Sequence, residues 1–367
     1  MGESLMGRIE TKRIDFIDVA KAIGIVLVMM SHSVGFLFNA GYYFTASYMS
    51  LFFFLSGYTY SDNRTVKDNL IRRTAKIGKA YFFYSICLLI MTVISKAVLH
   101  SGLSKKYLLT AISGIFYATY SLYPRIVEPN ITFFTIQNAP LWYLACYIVA
   151  GGLFDLAINI VKKHRYVRGT WFIILTGTLA TYLLADIPIR LPWGIDTAFA
   201  GMAFMAFGYL IKHSDFFNMK YYECFMIAAF VVYISLCNWN KEIAMSVREY
   251  GNHGMLSIIA FIIIGCIGSL LYISFAKILC MVQGLKNVLC CIGRKTLPIL
   301  AFHVYIFVTW DKVQEIILQK MGITMLKSGA YWALGILKIS ITVLICLVGS
   351  WCWNKIMGKI SERKINE

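Results

Sequence analysis

Charge is scarce in this sequence. Asp, Glu, Lys and Arg make up 14% of its 367 residues, against about 25% in an ordinary soluble domain. That shortfall excludes a water-soluble fold for most of the chain. Proline is scarce as well, with six residues, and no Pro/Ser-rich or low-complexity stretch separates a soluble domain from the rest. The ten cysteines form no C-x-x-C pair and fall mostly in apolar runs. They read as small hydrophobes, not as a disulfide framework or a zinc site. No His/Asp/Glu cluster has metal-ligand spacing, so no metal is expected.

Apolar residues are abundant, at 59% of the chain with a mean hydropathy of +0.68. Runs long enough to cross a bilayer recur near 16–38, 44–61, 80–99, 139–160, 170–187, 195–211, 221–238, 254–278, 296–313 and 330–354. About 20 such residues span the hydrocarbon core as a helix. The expectation is an all-α, polytopic bundle of about ten transmembrane helices in a lipid bilayer. The segment 106–123 is apolar but rich in Tyr, Gly and Ser, and is read as an interfacial or re-entrant helix.

Net charge is +17. The basic residues crowd into alternate loops, as positive-inside topology requires, and this places both termini in the cytoplasm. The excess therefore reports topology, and no nucleic-acid partner is expected. Three parts follow: a cytoplasmic N-terminal segment 1–15, a membrane domain 16–354, and a cytoplasmic basic tail 355–367. The run Phe16 to Phe38 has no small-residue cleavage site and is expected to act as an uncleaved anchor. No internal repeat of the transporter kind is evident.

Polar residues inside apolar helices are costly and usually face protein or water. The first helix holds Asp18, Lys21 and His32. At 100° per residue, Lys21 lies within about 20° of His32, and Asp18 within about 40°, so all three share a face. Lys21 and His32 are separated by about 16 Å along the axis. That layout suits a long ligand with an anionic head near Lys21 and a reactive tip near His32, the usual proton shuttle at neutral pH. An Asp18–Lys21 pair at the interface, with His32 bonded inside the bundle, is the alternative.

A basic cluster, Arg72, Arg73 and Lys76, opens the third helix. Arg73 and Lys76 are i, i+3 neighbours that can grip phosphate together; the other reading is a positive-inside anchor. Phe52-Phe53-Phe54-Leu55-Ser56-Gly57 ends the second helix, where Ser56 has no local base and is assigned to packing. Trp142 and Tyr143 open the fourth helix at an aromatic belt. Thr296 is expected to cap the helix that carries His303, which is read as an isolated structural histidine.

In order and spacing these segments resemble the acyltransferase-3 family of bacterial membrane acyltransferases, most closely its fucose 4-O-acetylase-like branch. The matching elements are Asp18, Lys21 and His32; Phe52 to Gly57; Arg73, Lys76, Ala80 and Tyr81; Leu141 to Leu144; and Gly293, Arg294, Lys295, Thr296, Leu297 with His303 downstream. Lys76 stands for the family's second Arg and Ala80 for its Pro. The resemblance covers about residues 13 to 310.

The resemblance implies transfer of an acyl group, usually acetyl, from cytoplasmic acyl-CoA to a hydroxyl of a glycan or lipid-linked sugar, in a bacterial cytoplasmic (inner) membrane. Acetyl-CoA would be a co-substrate, with no cofactor tightly bound. The family's histidine maps to His32, as general base or transient acyl carrier, with Asp18 beside it among the catalytic residues. Lys21, Arg72, Arg73 and Lys76 would bind CoA, and Trp142 and Tyr143 the acceptor. A glycan or lipid transporter, or a non-catalytic sensor on the same scaffold, are the alternatives. A continuous first helix with His32 and Arg73 facing one CoA-shaped cleft would count against transport.

Overall fold

In the computed structural model the described residues are 14–33, 41–98, 104–119, 140–161, 166–241, 243–322 and 328–366. The first six helices are α1 (Asp15–Ser33), α2 (Gly41–Thr45), α3 (Tyr48–Tyr58), α4 (Val66–Arg73), α5 (Lys79–Val98) and α6 (Lys105–Tyr117). Then come α7 (Trp142–Val161), α8 (Tyr166–Ala185), α9 (Ile195–Lys212), α10 (Tyr222–Asn240) and α11 (Met255–Leu279). The last three are α12 (Gln283–Gly293), α13 (Thr296–Lys320) and α14 (Ser328–Asn366). A two-stranded antiparallel hairpin, β1 (Ile243–Ala244) and β2 (Glu249–Tyr250), lies between α10 and α11.

The protein is a multi-pass helical membrane protein. Among the described residues, eight helical stretches are long and apolar enough to cross a bilayer, and nine if the bent pair α12–α13 counts as one passage. Each of the ten expected helices has a counterpart, although 34–38 of the first lies outside the described residues. Of the stretch 106–123, the described part forms α6, whose 13 residues rise about 20 Å, short of the hydrocarbon thickness; residues 120–123 lie outside the described residues. Helix α14 continues through the stretch expected to be a basic tail.

Lipid as solvent sets the distribution of residues. Isoleucines 86, 90 and 94 line the outside of α5, and Ile227 and Val231 the outside of α10. In water such stripes would be interaction surfaces; in a bilayer they face acyl chains. The interior is α3 and α9 with α7, α8, α11 and α1 around them. Small residues bring α3 and α9 together. A Cβ at Gly57 would overlap the Met205 carbonyl oxygen, and one at Gly208 the Phe54 carbonyl. Backbone-to-backbone contact of this kind is how membrane helices gain packing energy without a hydrophobic driving force. The packing role expected of the Ser56-Gly57 corner is thus located at Gly57.

At the end of the bundle that carries the hairpin, three charges are fully enclosed. Asp196 accepts from Arg190 Nε at 3.4 Å and pairs with Arg248 Nε at 3.2 Å. Arg190 also donates to the Ser246 carbonyl, and Arg248 to those of Leu184 and Ile187. These guanidinium groups tie the α8–α9 connection to the hairpin. From sequence both arginines look like solvated loop charge.

Substitution of Gly57 or Gly208 by Ala is expected to destabilise the α3–α9 contact by about 1–3 kcal/mol. The check is a lower apparent melting temperature of the detergent-purified variant, with Gly254→Ala, where a methyl meets no neighbour, as the comparison for space, although Gly254 has a positive φ of its own.

Candidate active site

Helix α1 is unbroken from Asp15 to Ser33. Asp18 is buried near its start. Its carboxylate accepts from Lys21 Nζ at 3.3 Å and from Arg294 Nε at 3.2 Å. Gly293, the last residue of α12, lies against the backbone of Asp18 so closely that a Cβ would overlap the Asp18 carbonyl. Here α12 turns into α13 through a bend of 75°. The break sits at the basic end of the bundle, beside Asp18. Thr296 is the first helical residue of α13, and no side chain caps the helix. This corrects the expected Thr296 cap: Lys295 occupies the cap position, and the Thr296 side chain lines a cavity instead.

That cavity has a volume of about 370 Å³. Lys21, Lys76 and Arg294 contribute three cations to its lining, Ser56 and Thr59 two hydroxyls, and Val28, Phe52, Tyr143, Leu144 and Leu300 apolar surface. Tyr147 donates to Ser56 Oγ at 2.8 Å, so Ser56 serves both the wall and its packing. Tyr143 is wedged among Phe52, Phe53 and Trp142, with ring centroids 5.9, 5.1 and 6.2 Å away. Trp142 packs behind Tyr143 and is not part of the lining.

Arg73 and Lys76, expected to act as a pair, are separated. The chain from Thr74 to Gly78 is π-helical, and the wider turn rotates one residue away from the other; such turns often occur at functional positions. Lys76 reaches the cavity. Arg73 turns to α7 instead and donates to both oxygens of Asp155, at 2.5 and 3.3 Å. Asp155 is 0% exposed and Arg73 12%. Gly151, one turn before Asp155, leaves the space that the guanidinium fills. Arg72 is exposed and outside the cavity.

His32 lies in the last turn of α1, about 21 Å beyond Asp18 along the axis. Asp18 therefore belongs to the mouth and does not touch the His32 ring. The cavity ends at Val28 and Leu300, each about one helical turn short of a histidine. The His32 and His303 rings face each other there, with centroids 5.3 Å apart and planes at 48°. The structure thus brings Lys21, Lys76 and Tyr143 around one cavity and sets His32 beyond it. It leaves Arg72 outside and commits Arg73 to an ion pair. Sequence reasoning missed Asp155, although a lone carboxylate in an apolar helix is itself a signal. It also missed the approach of His303 to His32, which no spacing within either helix reports.

The architecture defines a polytopic membrane protein with an internal, basic-mouthed cavity leading towards a histidine pair. The profile of the acyltransferase-3 family, an acyltransferase domain, matches residues 14–351. The chain belongs to that family and is a membrane acyltransferase. No curated protein matches it, and no solved structure does.

Removing Asp155 alone strands a largely buried guanidinium and is expected to cost about 3 kcal/mol. The paired change Arg73→Met/Asp155→Leu is expected to recover most of that stability. If Arg73 acts only through Asp155, the paired variant keeps donor affinity, whereas Lys76→Met loses it. Thermal unfolding and calorimetric titration with CoA separate these outcomes.

Proposed function

We propose that the protein transfers an acyl group, acetyl in the first instance, from acyl-CoA to a hydroxyl of a cell-surface glycan or lipid-linked saccharide. The observation that carries this is the gradient along one cavity. Lys21, Lys76 and Arg294 supply positive charge at one end, and the apolar lining of Val28, Phe52, Leu144 and Leu300 ends one helical turn short of His32, whose ring is exposed at the end of α1. CoA has the complementary profile, with phosphates at one end and a slender arm ending in a thioester. The likeness to the fucose 4-O-acetylase-like branch supports a sugar hydroxyl as acceptor, and a bacterial cytoplasmic membrane as the setting.

On this reading the basic end faces the cytoplasm. The phosphates rest on Lys21, Lys76 and Arg294 through charge-assisted bonds. The acceptor hydroxyl meets the thioester at His32, which acts as general base. The hydroxyl oxygen attacks the thioester carbonyl carbon while its proton passes to a His32 ring nitrogen. The C–S bond breaks, and the departing thiolate takes the proton from His32. The products are an O-acyl ester and free CoA, and the enzyme is returned unchanged. Tyr143 and Trp142 shape the acceptor side of this cavity. Asp18 holds Lys21 and Arg294 in place and does not enter the proton transfer.

The test uses the protein in nanodiscs with radiolabelled acetyl-CoA and lipid-linked saccharides extracted from membranes. Label should move to the saccharide. His32→Ala is expected to lower the rate on the order of 100-fold or more. Lys21→Ala and Lys76→Ala are each expected to raise KM for acetyl-CoA about 10-fold, the loss of one hydrogen bond to a charged group, with kcat little changed. Transfer by His32→Ala at the wild-type rate would remove His32 from the reaction.

A further inference from the structure

His303 is completely buried, and its two ring nitrogens differ in their surroundings. Nδ1 lies 3.1 Å from the Ile299 carbonyl oxygen and 2.9 Å from that of Leu300. Carbonyl oxygens only accept, so Nδ1 carries the proton. Nε2 is then a bare lone pair. It is buried, and it has no hydrogen-bond partner. An unmet acceptor in the interior is unfavourable, and in native proteins such groups generally have a reason. The ring across from it is that of His32, 5.3 Å away between centroids. At that centroid separation, a nitrogen of each ring brought onto the line between them by rotation of His32 about its Cβ–Cγ bond would stand about 3 Å apart, within hydrogen-bond reach.

Among the described residues, the other neighbours give Nε2 no hydrogen bond. Phe307 presents an edge-to-face contact at 5.7 Å and 83°. Asp311, two turns along α13, is held by Lys338 Nζ at 2.8 Å. Lys338 itself lies over the Phe307 ring, 4.9 Å from its centroid, with the aromatic ring next to His303. On α1, Asp18 and Lys21 are at the far, basic end.

We propose that His303 is the positioning partner of His32, its Nε2 accepting the N–H on one side of the His32 ring so that the other nitrogen is left bare to take the proton of the acceptor hydroxyl. This rests on His32 being the general base. A base must be in the right tautomer and orientation before it can act. In serine hydrolases a carboxylate fixes both by accepting from the far side of the imidazole. Here a neutral imidazole does so, with its own tautomer set by two backbone carbonyls of α13. When His32 takes up the acceptor's proton, its bond to Nε2 becomes charge-assisted and strengthens. No proton need leave His303 at any point, and the atoms balance as in the transfer described above.

The test compares three variants in the acetyl-CoA assay: His303→Phe, His303→Gln and His32→Ala. Phe fills the space beside Phe307 but accepts no hydrogen bond; Gln is an acceptor again. The expected result for His303→Phe is a kcat lowered roughly 10- to 100-fold, the range for losing one buried hydrogen bond to a charged group. KM for acetyl-CoA should stay near wild type, and Gln should restore a substantial part of kcat. Wild-type kcat in His303→Phe, with His32→Ala inactive, overturns the positioning role and leaves His32 as base. Full activity in His32→Ala overturns the underlying reading itself. A Gln variant no better than Phe assigns His303 to packing and also overturns the proposal. Should both His303 variants fail to fold, wild-type protein labelled with 15N-histidine decides, with the His32→Ala spectrum as reference. A His303 protonated on Nδ1, with a hydrogen-bonded acceptor Nε2, supports the proposal; a proton on Nε2 overturns it.

Discussion

The contact on which the site depends is that of Asp18 with Arg294 and Lys21. It pins the start of α1 to the corner where α12 becomes α13. Gly293 lets the two backbones meet, and the buried carboxylate holds a cation from each helix. From that fixed corner both helices run to the same depth. Val28 and Leu300 face one cavity, and a turn further on His32 faces His303. Slippage of either helix by one residue would swing its histidine through about 100° and dissolve the pairing. On the proposed mechanism the corner therefore positions the histidine pair from about 21 Å away, although none of its residues reaches the reacting atoms.

The Arg73–Asp155 pair has a similar part at the opposite wall. Its oxygens and nitrogens satisfy one another, and it fixes α4 against α7. The π-helical turn that follows then delivers Lys76 to the cavity. A regular helix would have kept Arg73 and Lys76 on neighbouring positions of one face, where both would compete for Asp155 or both would meet the ligand. The bulge assigns one cation to structure and leaves the other for an anion.

Much of this was legible in the sequence. Ten apolar runs, a near-common face for Asp18, Lys21 and His32, and the ordered motifs set the fold class and the family. The Asp18–Lys21 contact follows from i, i+3 spacing alone. What escaped depends on tertiary partners. Arg73 finds its carboxylate 82 residues along the chain, and the alternation of charge in loops carries no hint that Arg190 and Arg248 close over Asp196. His303 looked isolated because its neighbours on α13 are apolar; its companion is on α1. The π turn could not be read either, since Thr74 to Gly78 has no proline, and one glycine does not announce a wider turn.

The distribution of charge along α1 and α13 also explains why a second histidine suits the place beside His32 better than a carboxylate. In lipid an ionised group without a partner is strongly disfavoured. The carboxylates on these helices lie away from the histidines and have partners of their own: Asp15 with Lys286, Asp18 with Lys21 and Arg294, Asp311 with Lys338, and Glu315 accepting from Gln319. A carboxylate beside His32 would hold a permanent charge at rest, and would be stabilised only while His32 was protonated. A neutral imidazole acceptor carries no such charge at rest. On the proposed mechanism, positive charge appears at His32 only as the hydroxyl proton arrives and disappears as the thiolate removes it. On that mechanism the cations of the mouth meet the CoA phosphates, and the histidine pair carries charge only during turnover.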